Sequence, residues 1–218
     1  MKLTLFDLDH TLLAGDSDVL WCDFLIARGV LDNGFARRNA DIEARYQEGS
    51  VDPVEFAQFY VSTLAGRTPV QWESVRQAFF DEVIAPRIPR AARDLVRCHQ
   101  DAGDLVVMTT ATNRFITERT AACFAIDHLI ATEPEIVDGV FSGRTTGVLN
   151  MRAGKVTRLH TWLAQRGQSL SQFDSSAYSD SINDLPLLEA VQVPVTVNAD
   201  ARLAAVAAER GWNGISLY

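Results

Sequence analysis

The chain has 218 residues, 47% of them hydrophobic and 22% charged, which excludes a disordered chain, a collagen-like repeat and a coiled coil. At that length roughly 70% of the unfolded surface is buried on folding, so neither disulfides nor zinc are needed as staples. Twenty Lys and Arg against 28 Asp and Glu give a formal charge of −8, the wrong sign for gripping a nucleic-acid backbone.

In chain order, the first element is a short apolar run, Leu3–Phe6, read as a buried strand that ends in Asp7-Leu8-Asp9-His10-Thr11. No apolar leader with a cleavage site precedes it, and no stretch approaches a bilayer span, so a soluble, cytoplasmic protein is expected. From about Gly15 to Ile88 the pattern is helical only. Asp52-Pro53 and Thr68-Pro69 each read as an N-cap followed by proline at the first helical position, and Thr68 with Gln71 has capping-box spacing. They predict helices over Val54–Leu64 and Val70–Ile84, with Gly66 as a stop and Pro86 and Pro89 marking the exit.

Beyond the helical segment, helices and strands alternate. Arg90–Ala102, closed by Gly103, is amphipathic, and Leu105–Met108 follows as a strand. Helix Phe115–Phe124 precedes strand Leu129–Ala131, and Val137-Asp138-Gly139-Val140 is a hairpin signal. Helix Val156–Arg166, a weaker strand Ala177–Ser179 and strand Val193–Val197 complete the pattern. Such alternation implies an α/β core, a mostly parallel sheet covered on both faces. Cys22, Cys98 and Cys123 are too far apart for a disulfide framework or a zinc knuckle and are expected as reduced thiols.

Four strand-end or helix-start segments carry chemistry. Ending a buried strand with Asp7 and Asp9 is costly unless a cation or donors meet them, and ligands of open parallel sheets sit beyond the carboxyl strand ends. Thr109-Thr110-Ala111-Thr112-Asn113 offers hydroxyls and N–H groups at a strand-to-helix junction, either as an anion site or as a plain N-cap. Gly154-Lys155 places a lysine at a helix start, where the dipole disfavours it. Ser179-Asp180-Ser181-Ile182-Asn183-Asp184 adds two acids and an asparagine at another strand end, which read equally as a cap and turn.

Together, and in this chain order, these segments resemble the haloacid dehalogenase superfamily of aspartate-based phosphatases. The likeness covers essentially the whole chain. It is nearest to the phosphoserine-phosphatase-like subfamily, in the bacterial branch that includes histidinol-phosphate phosphatases. Ser179 stands where many members have glycine. The resemblance implies a Rossmann-like, doubly wound core over residues 1–14 and 89–218 with an inserted all-helical cap over 15–88. It implies Asp7 as nucleophile, forming an aspartyl-phosphate, and Asp9 as general acid and then base. Asp7, Asp180 and the Asp9 backbone carbonyl would hold Mg²⁺, with Asn183 and Asp184 behind them. Thr110, Ala111 and Lys155 would hold the phosphoryl oxygens, with Thr112 and Asn113 alongside; the hydroxyl in that role is left among Thr109, Thr110 and Thr112.

Asp16 and Asp18 lie at the crossing from core to cap, as a seat for a cationic substrate group or as a helix cap. The expected substrate is a small phosphomonoester bearing an amine, histidinol phosphate ahead of phosphoserine. A phosphotransferase using the same intermediate is the alternative among enzymes, and a phospho-receiver-like module the alternative outside them. Against the latter stand Asp9, a second acid able to release the phosphate, and the helical insertion.

Overall fold

The computed structural model describes residues 1–48 and 50–218; residue 49, inside the expected helical segment 15–88, lies outside the described residues, as does the side chain of Gln47. Seven strands form, β1 (Lys2–Phe6), β2 (Leu105–Asn113), β3 (His128–Val137), β4 (Val140–Thr146), β5 (Asp174–Ser179), β6 (Val193–Val197) and β7 (Asn213–Ile215). They make one sheet in the order β4-β3-β2-β1-β5-β6-β7. Pairing is parallel throughout except between β3 and β4, where Asp138 and Gly139, both at positive φ (50° and 80°), turn the expected hairpin. The expected α/β class, doubly wound and mostly parallel, is what forms.

Side-chain alternation along β1 assigns its two faces. Phe6, with Val106 and Met108 of β2, joins a buried cluster with Trp21, Phe24, Phe79, Val96 and Phe115. Leu3 and Leu5 point the other way, to Val107, Ile130, Leu159, Leu163, Leu187 and Leu203. The first face is covered by α1 (Ser17–Ala27), α4 (Pro69–Phe79), α5 (Arg90–Asp101) and α6 (Arg114–Cys123), the second by α7 (Ala153–Ala164), α8 (Leu185–Ala190) and α9 (Ala201–Arg210).

Between β1 and α5, no strand occurs among the described residues; α1, α2 (Asn33–Glu48), α3 (Pro53–Ser62) and α4 fill that stretch. Asp52 accepts the N–H groups of Val54 and Glu55 to start α3, and Thr68 with Gln71 closes a full capping box on α4. Trp21 of α1 meets Trp72 and Phe79 edge-on, at centroid distances of 5.6 and 5.1 Å. A separate apolar cluster, Cys22, Ile42, Phe56, Phe59 and Tyr60, also takes in Met151 from the sheet-bearing part. These helices thus pack against the sheet-bearing part through two clusters.

Strands β3 and β5 outrun the expected Leu129–Ala131 and Ala177–Ser179, β7 has no apolar run to announce it, and two further elements differ for reasons that bear on the site. The last expected helix of the insertion leaves α geometry after Phe79, passing through a π turn (Phe80–Ile84) and a 3₁₀ turn (Ala85–Arg87), because Pro86 has no N–H to continue the ladder. Strand β2 runs past Met108 to Asn113. Its polar extension is held by fully buried Asn150, whose Nδ2 lies 3.0 Å from Thr109 Oγ1 and 2.9 Å from the carbonyls of Thr110 and Ile130. No helix among the described residues is long and apolar enough to cross a membrane.

The strand order changes direction at β1, which lies between β2 and β5. In such sheets the crevice beyond the carboxyl ends at this switch point is where ligands bind. Residues following β1 and β5 and those at the end of β2 meet there.

Candidate active site

The loop after β1 is wound tightly. The Leu8 carbonyl accepts N–H groups from Thr11, Leu12 and Leu13, and the His10 N–H reaches the Gly15 carbonyl at 3.1 Å. This needs positive φ at His10 (57°) and at Gly15 (145°), an uncommon conformation for a histidine. The winding brings Asp7, Asp9 and Thr11 to the same edge. Thr11 Oγ1 lies 3.1 Å from Asp7 Oδ2 and 3.1 Å from Asp180 Oδ1, and accepts the Asp180 N–H at 3.1 Å. It therefore ties the ends of β1 and β5 together, yet its one proton serves only one carboxylate at a time.

Lys155 enters from the first turn of α7. Its buried Nζ lies 2.7 Å from Asp7 Oδ1 and 2.6 Å from Asp184 Oδ2, and Asp184 also accepts Ser179 Oγ at 2.7 Å. Gly154 is required beside it, since a Cβ there would stand 2.1 Å from the Leu149 carbonyl oxygen. Burial works against a charged lysine here, but Asp184 and Asp7 outweigh it and raise its pKa.

The acids remain undercompensated. Burial pushes Asp7 up to about 7; Lys155 pulls it down, and Asp184 and Asp9 push it up again. Burial, followed by the charges of Asp7 and Asp184, holds Asp180 well above the usual carboxylate range. Asp16 is pushed up to about 8, by burial first and by Asp9 next.

Asp9 turns its carboxylate towards β2 and α1. Oδ1 accepts the Ser17 N–H at 2.8 Å; Oδ2 accepts Thr112 Oγ1 at 2.9 Å and Thr110 Oγ1 at 3.3 Å. Alternation along β2 sends Thr109 the other way, to Asn150, which leaves Thr110 and Thr112 as the hydroxyls on the Asp9 side.

Asp7, Asp9, Ala111, Thr112, Asp180 and Asp184 line a small cavity of about 30 Å³, roofed by Tyr46 of α2 and Phe56 of α3, whose rings stack at 4.6 Å. A larger cavity of about 360 Å³ shares His10, Asp16, Tyr46, Asp180 and Ser181 with it, and adds Glu43, Asn183, Asn198, Asp200 and Tyr218.

The sequence-derived set is thus mostly gathered, but three members are placed differently. Asp18 is buried against Thr112 and Asn113 caps α6 by accepting the Ile116 N–H; neither lines either cavity, nor do the buried Thr110 and Lys155, which reach the site through Asp9 and Asp7. Asn183 accepts Arg152 Nε at 3.2 Å, so it is Asp184 that holds Lys155. Asp16 caps α1 through the N–H groups of Asp18 and Val19, and it also lines both cavities. Sequence reasoning gave no role to Thr11, Ser179, Tyr46 or Tyr218, whose hydroxyl donates to the His10 carbonyl at 2.9 Å. Thr11 closes the Asp7–Thr11 segment and shares its signal; Tyr46, on a helical face, carries no mark distinguishing it from a core aromatic.

A doubly wound sheet with a carboxylate cluster and a lysine at its switch point is the arrangement of an α/β ligand site, and the protein's relatives say of which class. The chain belongs to the haloacid dehalogenase-like hydrolases, whose family model matches residues 4–189. It is 39% identical to the histidinol-phosphatase of Neisseria meningitidis serogroup C over 214 residues, 97% of this chain and 96% of that protein. It is 33% identical to phosphoserine phosphatase SerB1 of Mycobacterium tuberculosis over 211 residues, 95% of this chain and 68% of that one. The solved structure of a Bordetella pertussis Tohama I protein of unknown function superposes with a TM-score of 0.94 at 44% identity, covering 100% and 99% of the two chains. A substrate-bound phosphoserine phosphatase shares the fold at a TM-score of 0.69 and 18% identity, covering 94% and 89%.

Proposed function

We propose that this protein hydrolyses a small phosphomonoester through a phosphorylated Asp7, with residues 15–88 serving as the cap over the site. The observation that carries the reading is Asp7 itself, buried at the switch point and held between Lys155 and Thr11 beside a second acid, Asp180. A carboxylate oxygen of Asp7 bonds to phosphorus as the ester P–O bond breaks, and Asp9 gives its proton to the departing alkoxide. Asp9 then takes a proton from the water that cleaves the acyl phosphate, which returns Asp7 and releases inorganic phosphate. Lys155, the Thr110 hydroxyl and the Ala111 N–H hold the non-bridging oxygens, where charge spreads in the transition state.

The donor set fits Mg²⁺. Asp7 and Asp180 approach one shared hydroxyl, and burial raises both even though Lys155, divided between Asp7 and Asp184, stands beside Asp7. Among the described residues no three His, Cys, Asp or Glu side chains converge as a full metal cage. Two carboxylates and the Asp9 backbone carbonyl suit an ion that keeps several waters. When bound, the ion offsets the repulsion between Asp7 and a phosphate dianion.

The larger cavity supports a substrate with a cationic head. Acids Asp16, Glu43 and Asp200 and the aromatic Tyr46 and Tyr218 line it, a match for an amine or imidazolium group. Histidinol phosphate ranks first on this ground and phosphoserine second. The test is kcat/KM over a panel of phosphomonoesters, with Mg²⁺ and with EDTA. Cationic esters should lead and EDTA should remove the activity. A neutral sugar phosphate in first place overturns the head-group reading, and activity indifferent to EDTA overturns the metal.

A further inference from the structure

Asp18 is a buried acid to which the proposed chemistry gives no task. It sits in the first turn of α1, 2% exposed. Its Oδ2 lies 3.1 Å from Thr112 Oγ1, the hydroxyl that also stands 2.9 Å from Asp9 Oδ2 and accepts Ser17 Oγ at 3.2 Å. Its other oxygen, Oδ1, is buried without a hydrogen-bond partner.

Hydrogen-bond stoichiometry decides how this chain runs. Thr112 has one proton, so it donates to Asp9 or to Asp18, and both contacts become hydrogen bonds together only if one acid is itself a donor. An ionised carboxylate with an orphaned, buried oxygen is far costlier than a neutral acid whose carbonyl goes unpaired. The N–H groups at the start of α1 that would favour an ionised Asp18 are already taken by Asp16. Burial, then the charges of Asp16 and Asp9, push Asp18 well above the usual carboxylate range, in the same direction. The proton therefore sits on Asp18, which donates to Thr112, which donates to Asp9. Ser17 braces both links, its N–H on Asp9 Oδ1 and its hydroxyl on Thr112.

We infer that Asp18 is a positioning residue, fixing through Thr112 the orientation of the Asp9 carboxyl group that exchanges a proton with the leaving group. The inference rests on the reading of Asp9 as general acid and base. It assigns this acid of the core-to-cap crossing to the chemical step and not to substrate selection.

The experiment compares Asp18→Ala, Asp18→Asn and Asp9→Asn on two esters, an aryl phosphate with a good leaving group and an alkyl phosphate with a poor one. Asp18→Ala should lower kcat on the alkyl ester by about ten- to a hundredfold and on the aryl ester by less than about threefold. KM should stay nearly constant, because Asp18 touches no substrate. Asp18→Asn keeps an N–H that donates to Thr112 and should restore most of the loss. Thermal melts of each variant supply the folded fraction at the assay temperature. The inference is overturned if the asparagine variant is as poor as the alanine one, if both esters lose equally, or if the loss follows the folded fraction. An Asp9→Asn variant indifferent to leaving group brings down the general-acid reading and this inference with it. Discrimination by Asp9→Asn without discrimination by Asp18→Ala removes the Asp18 inference alone.

Discussion

Two charged clusters draw on the same helix, α7, and are built to opposite rules. Glu133 of β3 is met by Arg114, whose Nε lies 3.1 and 2.9 Å from its two oxygens and whose Nη2 lies 2.9 Å from Oε1, and by Arg158 Nη2 at 2.9 Å. Burial disfavours this carboxylate, but Arg114 and Arg158 outweigh it and hold its pKa below the ordinary value. Three residues earlier on α7, Lys155 serves two acids, Asp7 and Asp184, in a crevice that also takes Asp9, Asp16 and Asp180. There burial raises the pKa values of Asp7, Asp16 and Asp180. The first cluster is compensated by its own side chains and stabilises the fold. The second holds more negative charge than the protein neutralises, and that deficit is what a cation and a proton-transferring acid can use.

Removing the nucleophile tests the uncompensated cluster most severely. Asp7→Asn should lower kcat by at least about a thousandfold with Mg²⁺ present, since no neighbouring acid occupies its position and an amide is a poor nucleophile. Lys155 keeps its bond to Asp184, so the variant should still fold, as circular dichroism would report. Substantial hydrolysis by this variant would remove Asp7 from its proposed role.

Asp180 tests the stored repulsion. Its pKa is raised above 3.8 in the fold, so the unfolded chain ionises first, and folding stability is lost as pH rises from there through the folded value. In EDTA near about pH 7, Asp180→Asn should therefore melt at or above the wild-type temperature, by about 2–4 °C if the relief is ~1 kcal/mol. The gap should close as pH falls towards the ordinary carboxylate value. Mg²⁺ should raise the wild-type melting point more than that of the variant. A lower melting point for the variant in EDTA would mean that the acids are compensated after all, and the contrast between the clusters would collapse.

Much of this was legible in the sequence, for identifiable reasons. Strands β1, β2, β3 and β6 carry apolar runs, and the caps carry Asp52-Pro53 and Thr68-Pro69, so local chemistry and global fold agree there. Asp7, Asp180 and Lys155 were legible because acids at buried strand ends and a lysine at a helix start each violate a local rule. What stayed hidden depends on side-chain direction. The polar end of β2 has no apolar signal because Asn150, some 40 residues on in sequence, satisfies it. Whether Asp16 or Asp18 faces the cavity turns on one step around α1, and residues two apart on a helix do not share a face. The Glu133 cluster left no trace because Arg114, Glu133 and Arg158 are ordinary residues until β3, α6 and α7 bring them together.

That cluster supplies the mildest and most discriminating test. Glu133→Gln keeps the volume and one acceptor but removes the charge that Arg114 and Arg158 share. It should cost about 1.5–3 kcal/mol of stability, the range for hydrogen bonds to a charged group. Because the folded pKa lies below 4.5, the contribution is present above that value and is lost as pH falls through the folded pKa. Melting temperatures of wild type and variant should therefore differ most at neutral pH and converge in acid, the reverse of the trend expected for Asp180→Asn. The kcat of the variant should match the wild type where both are fully folded. A fall in kcat without loss of stability would show that Arg114, which opens α6 directly after the Thr110–Asn113 segment, transmits the Glu133 charge to the phosphoryl-binding end of β2. The two clusters would then be one functional unit, spanned by α6 and α7.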